Sequence, residues 1–303
     1  MMKSERKNYR SLDEFYKEKF GCKVFKVSID SGFSCPNKDG VKGVGGCVFC
    51  SGSTLVKSDL PDLISQFEAT KEVLHRKWKT AKYIPFLEAN TNTYASLETL
   101  KNIYEPLISI DDVVGLSIAT RCDAISEEVY DYLADLNKRT YLTVELGLQS
   151  SNDDTLKRIN RGHTKNEFTE CVRRLKELNI DVVVHIINGL PGEDENTMLE
   201  TVRYVDSLEV AGIKFHMLYI ERDTKLAELY KNEPFPLLSR EEYASIVGKQ
   251  LALLDGSVVV HRLLSGPNNE KLIEPKWLLG KFTNLNYMEN YLRENSIFQG
   301  MKK

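Results

Sequence analysis

Short apolar runs alternate with segments of helical period along almost the whole of the 303-residue chain. The spacing predicts a strand, a loop and a helix, and this order recurs six times. Such alternation indicates βαβ units, a parallel sheet and right-handed crossovers. Six units are too few for a closed eight-stranded barrel but suit an open, partial one. The predicted strands span residues 24–28, 83–88, 113–120, 141–149, 181–188 and 213–219.

Two predicted helices begin with capping boxes, at Thr164 with Glu167 and at Ser239 with Glu242. After Thr224 the pattern becomes less regular. We therefore expect an α/β partial-barrel core with an N-terminal extension over residues 1–223, and a C-terminal extension packed on it over 224–303.

Composition narrows the class of protein. Hydrophobic residues make up 42% and charged residues 28% of the chain, as in an ordinary globular protein. No apolar stretch is long enough to span a bilayer, and the first residues lack a signal-peptide core. We expect a cytoplasmic protein with no membrane partner. Its six cysteines are then reduced, which favours metal binding or catalysis over a disulfide framework.

One predicted strand carries a polar face. Within residues 141–149 leucine and valine alternate with Thr143, Glu145, Gly147 and Gln149. A strand buried in a parallel sheet is normally apolar on both faces. The polar face therefore indicates a wet or liganded cavity, and in parallel α/β folds ligands lie beyond the carboxyl ends of the strands.

Three cysteines follow the first predicted strand in one glycine-rich loop, at Cys35, Cys47 and Cys50. Three thiolates do not complete a four-ligand zinc site. A zinc site would have to recruit Cys22, His75 or Cys122, none of which has the paired spacing of a zinc ribbon or finger. Thiolates also suit iron–sulfur clusters, and three of them leave one iron of a 4Fe–4S cluster open.

The chain resembles the radical S-adenosylmethionine (SAM) superfamily. The Cys-x-aromatic-Cys pair after the first strand carries this likeness, and eleven residues between Cys35 and Cys47 resemble its Elongator-subunit-3-like branch. Within that branch the chain is similar to the YhcC/YtqA-type proteins. The similar stretches are residues 23–30, 45–51, 91–94, 144–150, 159–164, 188–192, 261–263 and 275–277.

This resemblance implies a partial barrel of the radical SAM type and a reductive radical reaction. Cys35, Cys47 and Cys50 would ligate a 4Fe–4S cluster whose open iron binds SAM. Reductive cleavage of SAM would give a 5′-deoxyadenosyl radical that takes a hydrogen atom from the substrate. A reducing partner such as flavodoxin or ferredoxin would supply the electron. By the same resemblance, Phe49 lies beside the adenine.

Five further side chains fall where related enzymes contact SAM. Asn90 and Thr91 match the motif that contacts the methionine amino group. Gln149 and Arg161 match contacts to the ribose and the methionine carboxylate, and His185 faces the ribose; Met217 and Tyr219 are further candidates to line the pocket. Alternatives stay open for two of them: Arg161 could instead form an ion pair with a carboxylate on a helix, and His185 could instead be a hydrogen-bonded histidine in the core.

The resemblance to the Elongator-type branch also implies a tRNA substrate. The target would be the wobble uridine, and for the YtqA-like subgroup a 5-carboxymethylaminomethyl side chain trimmed to 5-aminomethyl. Residues 1–82 carry 16 Lys and Arg against 10 Asp and Glu, which leaves −9 for the remainder. Such charge attracts a polyanion, although solvated helix faces would produce it too. The candidate phosphate contacts are Lys3, Arg6, Lys7, Arg10, Arg76, Lys77, Lys79 and Lys82.

Two other functions remain open at this point. One is a radical SAM enzyme acting on a small molecule, similar to the oxygen-independent porphyrinogen oxidases. The other is a non-catalytic, metal-stabilised RNA-binding protein, which would hold zinc and leave SAM intact.

Overall fold

The computed structural model describes residues 7–51, 60 and 62–303. Helices and strands alternate along the described chain, as the periodicity predicts. In chain order the elements are α1 (Leu12–Phe20), β1 (Val24–Ile29), α2 (Leu63–Lys77), β2 (Lys82–Leu87), α3 (Leu97–Ile108), β3 (Gly115–Thr120), α4 (Glu127–Arg139), β4 (Tyr141–Gln149), α5 (Asp153–Arg158), α6 (Lys165–Glu177), β5 (Asp181–Asn188), α7 (Glu195–Ser207), β6 (Gly212–Met217), β7 (Ile220–Glu221), α8 (Lys225–Asn232), α9 (Arg240–Leu253), β8 (Val259–Arg262), β9 (Leu272–Glu274), a 3₁₀ turn (Lys276–Leu278) and α10 (Lys281–Glu294).

The main sheet is parallel throughout and has the order β1-β2-β3-β4-β5-β6-β8. The six predicted strands are all present, β4 and β5 with the predicted bounds and the others shifted by one or two residues at an end. The seventh strand, β8, was not predicted. It lies within residues 224–303 and pairs with β6, so this part of the chain extends the sheet as well as packing on it.

The sheet curls into a partial barrel, which confirms the predicted architecture. Lys26 on β1 and Lys214 on β6 both form ion pairs with Glu145 on β4. In the sheet order, β1 is three strands from β4 and β6 is two strands from β4. Side chains from such distant strands can reach one carboxylate only if the inner faces of the strands converge. The polar face predicted for β4 therefore points into the barrel.

The outer face of the sheet forms the main core with the helices. The leucines and valine of β4 that alternate with the polar residues are fully buried there, at Leu142, Val144, Leu146 and Leu148. Both predicted capping boxes are present, at the N-termini of α6 and α9. Each N-cap side chain contributes about 1 kcal/mol to helix stability.

The barrel is open between its two edge strands, β1 and β8. The segment before α1 runs along the outer edge of β8, where the Val260 N–H donates to the Arg10 carbonyl at 2.8 Å. In the described part of the chain, no helix combines the length and apolar content needed to cross a bilayer.

Candidate active site at the carboxyl ends of the strands

The three cysteines of the predicted cluster site lie in the loop that follows β1. Two turns shape this loop: the Lys38 N–H donates to the Cys35 carbonyl at 2.8 Å, and the Cys50 N–H donates to the Cys47 carbonyl at 3.0 Å. Cys47 is buried, Cys35 is half-buried and Cys50 is exposed. Among the described residues, no group of three or more cysteine, histidine or carboxylate side chains has metal-binding geometry. The assignment of these three ligands therefore stays a prediction.

The segment after α5 holds the cysteine loop in place. Asn160 Nδ2 donates to the Gly46 carbonyl at 2.8 Å, and the Val48 N–H donates to the Ile159 carbonyl at 3.0 Å. In the opposite direction, Asn37 Nδ2 donates to the Asn160 carbonyl at 2.7 Å. Asn160 adopts a left-handed φ of 52°, which asparagine tolerates better than most side chains. One role of the segment after α5 is thus to position the cysteine loop.

Arg161 is buried, and its guanidinium contacts a cysteine of the loop. Nη1 lies 3.6 Å from Cys47 Sγ, while Nε and Nη2 donate to the Gly147 carbonyl at 3.0 and 2.6 Å. Asn37 Nδ2 also approaches Cys47 Sγ, at 3.7 Å. N–H groups directed at a cysteine sulfur would tune a cluster that the cysteine holds. Within the described residues no carboxylate is in ion-pair range of Arg161, so the alternative pairing with a helix carboxylate is not observed.

A second buried guanidinium, that of Arg121, lies at the end of β3. It pairs with Asp123 at 2.8 Å and donates through Nη1 to the Arg161 carbonyl at 2.8 Å. Burial alone would lower the pKa of Arg121, but Asp123 and the nearby Cys35 and Cys47 raise it overall. This guanidinium therefore lies near two of the three thiols, a proximity that sequence reasoning missed.

Two of the three residues considered as a fourth zinc ligand, Cys22 and His75, lie away from the cysteine loop. Cys22 precedes β1, and the six residues of that strand separate it from the loop by about 20 Å. His75 lies on α2, where Nδ1 is 3.3 Å from the Tyr83 hydroxyl. Cys122 is buried, and burial raises the pKa of its thiol. The arrangement favours a site with three protein thiolates.

A cavity of about 210 Å³ opens at the ends of β4, β5 and β6. Three of the predicted SAM contacts line it, namely Phe49, Gln149 and His185, together with Met217 and Tyr219. Gln149 has a left-handed φ of 75°, next to an irregularity in the β4–β5 pairing. Non-glycine residues seldom adopt this conformation, and such exceptions cluster at functional sites.

Glycine at position 147 keeps space open beside this cavity. A Cβ atom there would lie 2.5 Å from Gln149 Nε2 and 2.8 Å from Arg161 Nη2. The Gly147 carbonyl is also 3.2 Å from His163 Nε2. Burial and the charges of the two neighbouring arginines lower the pKa of His163 to about 3, so this imidazole is neutral.

Asn90 and Thr91 lie beside the start of the cysteine loop. The Thr91 N–H donates to the Ser34 carbonyl at 3.2 Å, and Asn90 Oδ1 accepts from Lys38 Nζ at 2.8 Å. The neighbouring Asn92 fixes this turn, because its Nδ2 donates to three main-chain carbonyls. Thr91 Oγ1 is buried without a hydrogen-bond partner. Such a group costs about 1–3 kcal/mol, which a bound ligand would offset.

A buried ion cluster lies inside the barrel below the cavity. Glu145 is fully buried, and Lys214 Nζ lies 2.5 Å from its Oε2, while Lys26 Nζ contacts Oε1. Ser117 Oγ donates to Oε1 at 2.9 Å, and His185 Nε2 lies 2.6 Å from Oε2. Burial would raise the pKa of Glu145, but the two lysines lower it well below its usual value. The carboxylate is therefore ionised.

This cluster orients His185 toward the cavity. Burial and the charge of Lys214 lower the pKa of His185 to about 4, so its ring is neutral. A neutral ring beside an ionised carboxylate carries its proton on Nε2, which leaves Nδ1 as an acceptor. The ring keeps 17% of its surface accessible and stacks on His216 with centroids 5.1 Å apart. His185 is thus a cavity residue and not a core histidine.

Comparison with known proteins identifies the family. Residues 40–205 match the Radical SAM superfamily, and residues 210–294 match the Radical_SAM C-terminal domain. The chain belongs to the radical SAM superfamily. The chain is 42% identical to YtqA of Bacillus subtilis (strain 168), over 97% of this chain and 92% of that protein. The barrel therefore is that of a radical SAM enzyme.

Two more distant similarities extend this result. The chain is 25% identical to a tRNA-2-methylthio-N(6)-dimethylallyladenosine synthase of Fusobacterium nucleatum, over 54% of this chain and 39% of that protein. The structure of Elp3 from the archaeon Methanocaldococcus infernus superposes with a TM-score of 0.68 at 16% identity, covering 91% of this chain and 64% of the other. The latter likeness shows the shared fold.

Radical SAM enzymes use a 4Fe–4S cluster and SAM, and the described residues fit both groups. Three cysteines share one loop, and Cys47 accepts N–H contacts from Arg161 and Asn37. The unpartnered hydroxyl of Thr91 and the space beside Gly147 lie next to that loop. The predicted cofactors thus suit this radical SAM site.

Sequence reasoning missed the ion cluster of this radical SAM barrel. It placed Glu145 on a polar face but assigned it no partner. A signal was available, because Lys26 and Lys214 each place a charge within a mainly apolar strand. His261 and Arg262 on the unpredicted β8 were noted by resemblance alone and given no role.

Proposed function

We propose that this radical SAM enzyme modifies the wobble uridine of a tRNA, shortening a 5-carboxymethylaminomethyl side chain to 5-aminomethyl. The observation that carries the proposal is a set of four basic side chains in segments that follow the strands, at the edge of the barrel where the cysteine loop lies. We call this set the basic rim. It consists of Lys42, Arg158, Arg222 and Lys225.

The basic rim is available to a polyanion. Among the described residues, Arg158 and Arg222 donate to main-chain carbonyls, those of Pro191 and Glu270. Lys225 Nζ lies 3.5 Å from the Val44 carbonyl in the cysteine loop. Across the described residues, no carboxylate is within ion-pair distance of any rim side chain. Lysine and arginine in this state bind RNA phosphates and make affinity depend on salt.

The phosphate contacts predicted from the N-terminal charge lie elsewhere. Arg76, Lys77, Lys79 and Lys82 lie where α2 ends and β2 begins, at the amino ends of the strands and opposite the cysteine loop. Of the other four, Lys7 and Arg10 are paired with Glu289 and Glu18, and Lys3 and Arg6 lie outside the described residues. These eight predicted contacts are therefore not what supports an RNA substrate.

The similarity to a tRNA-modifying synthase supports the same substrate class. When bound, the cluster and SAM supply a one-electron reduction that leads to removal of a hydrogen atom from the substrate; a small reduced protein such as a flavodoxin or ferredoxin would provide the electron. The chain's own residues hold and shield this chemistry. Phe49 and Tyr219 wall the cavity, Gln149 and His185 offer hydrogen-bonding groups, and Arg161 neutralises charge beside Cys47.

The proposal is tested with anaerobically loaded protein, SAM, a reductant and bulk tRNA from a strain that lacks this enzyme. Nucleoside analysis by mass spectrometry should show loss of 5-carboxymethylaminomethyluridine and a matching gain of 5-aminomethyluridine. The double variant Lys42→Glu/Lys225→Glu should weaken tRNA binding and flatten its salt dependence. The control Lys77→Glu/Lys79→Glu, at the opposite edge, should affect binding much less.

Two results would contradict the proposal. Cleavage of SAM with every tRNA nucleoside unchanged would favour a small-molecule substrate. Affinity for tRNA that is equal at low and high salt, and unchanged by the rim substitutions, would remove the RNA substrate altogether.

A further inference from the structure

A second cavity, of about 380 Å³, lies in the gap between the edge strands β1 and β8. Its lining is strongly cationic. Asp13 is the one carboxylate among the described lining residues, against five cations: Lys7, Lys23, Lys26, Arg262 and Lys281. A cavity of this composition attracts an anion.

Most of these cations are already neutralised. Lys7 pairs with Glu289 at 2.8 Å, Lys23 with Asp13 at 2.5 Å, and Lys26 with Glu145. Among the described residues Lys281 has no carboxylate in ion-pair range, and Arg262 has only a distant one. Its nearest carboxylate among the described residues is that of Glu88, at 3.9 Å. A charge-assisted hydrogen bond is about 2.7–2.9 Å long, so this guanidinium is held near a carboxylate without being bonded to it.

Arg262 also acts on the strand-end cavity. It pairs in register with Lys214 across β6 and β8. Burial is the main cause of the lowered pKa values of His185 and His216, and the charge of Arg262 lowers both further. Burial also raises the pKa of Tyr219, and the charge of Arg262 opposes that rise. All three rings line the cavity beside the cysteine loop. The guanidinium therefore lies between the lateral gap and the predicted SAM pocket.

We propose that Arg262 binds a carboxylate of the substrate and so selects the substrate's side chain. This inference rests on the proposed function, which supplies a base whose side chain carries a carboxylate. The planar guanidinium presents two parallel N–H groups that match a carboxylate. The substrate carboxylate would replace Glu88 as its partner. A backbone phosphate offers similar oxygens, and the experiment separates the two sources.

The test measures binding without turnover. Loaded protein, SAM and no reductant are titrated with labelled anticodon stem–loops whose wobble position is 5-carboxymethylaminomethyluridine, 5-aminomethyluridine or uridine. We expect the carboxylate-bearing probe to bind about 10- to 100-fold more tightly than the other two. Arg262→Gln should reduce this ratio to about 1. Arg262→Lys should retain only part of it, because an ammonium keeps the charge but not the fork.

Arg203→Gln is the matched control, since Arg203 lies on the outer helix α7 and pairs with Glu200. It should leave the ratio unchanged, and thermal unfolding should confirm that all variants are folded. Equal affinity of the wild type for the three probes would overturn the inference, as would a ratio that Arg262→Gln leaves intact. Equal weakening of all probes by Arg262→Gln would assign the residue to a phosphate instead. A third result separates the two proposals: the affinity ratio is high in the wild type and lost in Arg262→Gln, but the nucleoside is not converted once reductant is added. That result would retain the carboxylate site and refute the proposed reaction.

Discussion

Replacing Glu145 by glutamine tests the buried ion cluster most severely. The side chain is fully buried and serves Lys26, Lys214, His185 and Ser117 together. Removing one partner of a buried ion pair costs about 3–5 kcal/mol, because the other charge is left without compensation. Unfolding entropy of about 2.1 cal/mol/K per residue gives about 0.6 kcal/mol/K for a chain of 303 residues. We therefore expect Glu145→Gln to lower the Tm by about 5–8 °C.

The assay is thermal unfolding at pH 7, followed by circular dichroism. Glu127→Gln is the control, because Glu127 pairs with Arg174 at the surface with 81% of its side chain exposed, and it should change the Tm by less than about 2 °C. Adding Lys214→Met to Glu145→Gln should restore part of the loss by removing a stranded ammonium. A Tm within about 1 °C of the wild type for Glu145→Gln would refute the idea that this carboxylate neutralises two buried lysines.

Three further predictions concern the cavity. Thr91→Val removes a buried hydroxyl without a partner, so the unfolding free energy should stay level or rise by about 1 kcal/mol. The Kd for SAM, measured by equilibrium dialysis, should rise about 10-fold. Lost stability with unchanged SAM binding would contradict this prediction. Gly147→Ala places a methyl group against Gln149 and Arg161 and should weaken SAM binding about 10-fold with little change in Tm; undiminished binding would show that these side chains do not hold SAM. The pKa of His185 is lowered to about 4 in the folded state, so its contribution to the unfolding free energy is complete above pH 6.5 and is lost as the pH falls toward 4, about 3 kcal/mol in all. Urea unfolding should therefore show a shallower fall in unfolding free energy with decreasing pH for His185→Asn than for the wild type. An identical fall in the two proteins would mean that the imidazole charges freely.

The strands of the core were predictable because their signals are local. Each apolar run and each capping box reports on a few neighbouring residues, and the structure confirms the six predicted strands and both boxes. The seventh strand is different. β8 has only four residues, Val259–Arg262, and its place in the sheet depends on pairing with β6 far earlier in the chain. Three consecutive valines, residues 258–260, favour a strand locally, but nothing within the segment shows that it joins the sheet beside β6.

In the candidate site, too, local features could be predicted from the sequence and long-range contacts could not. Cys35, Cys47 and Cys50 are visible in sequence because they share one loop, and the strand-end residues are visible because strand ends share one edge. The partners of Glu145 were not visible. Lys26 and Lys214 are separated from it by 119 and 69 positions and meet it only because the sheet curls. Long-range charge pairing of this kind requires knowledge of the curvature.

The central claim is that this barrel holds a cluster on three thiolates with one iron left for SAM. The most direct measurement is iron content and electron paramagnetic resonance of anaerobically reconstituted protein, with and without SAM. We expect about four iron atoms per chain, a reduced-cluster signal that SAM alters, and loss of iron in Cys35→Ala, Cys47→Ala and Cys50→Ala but not in Cys171→Ala. Zinc in place of iron, a spectrum indifferent to SAM, or full iron content in any of the first three variants would contradict it.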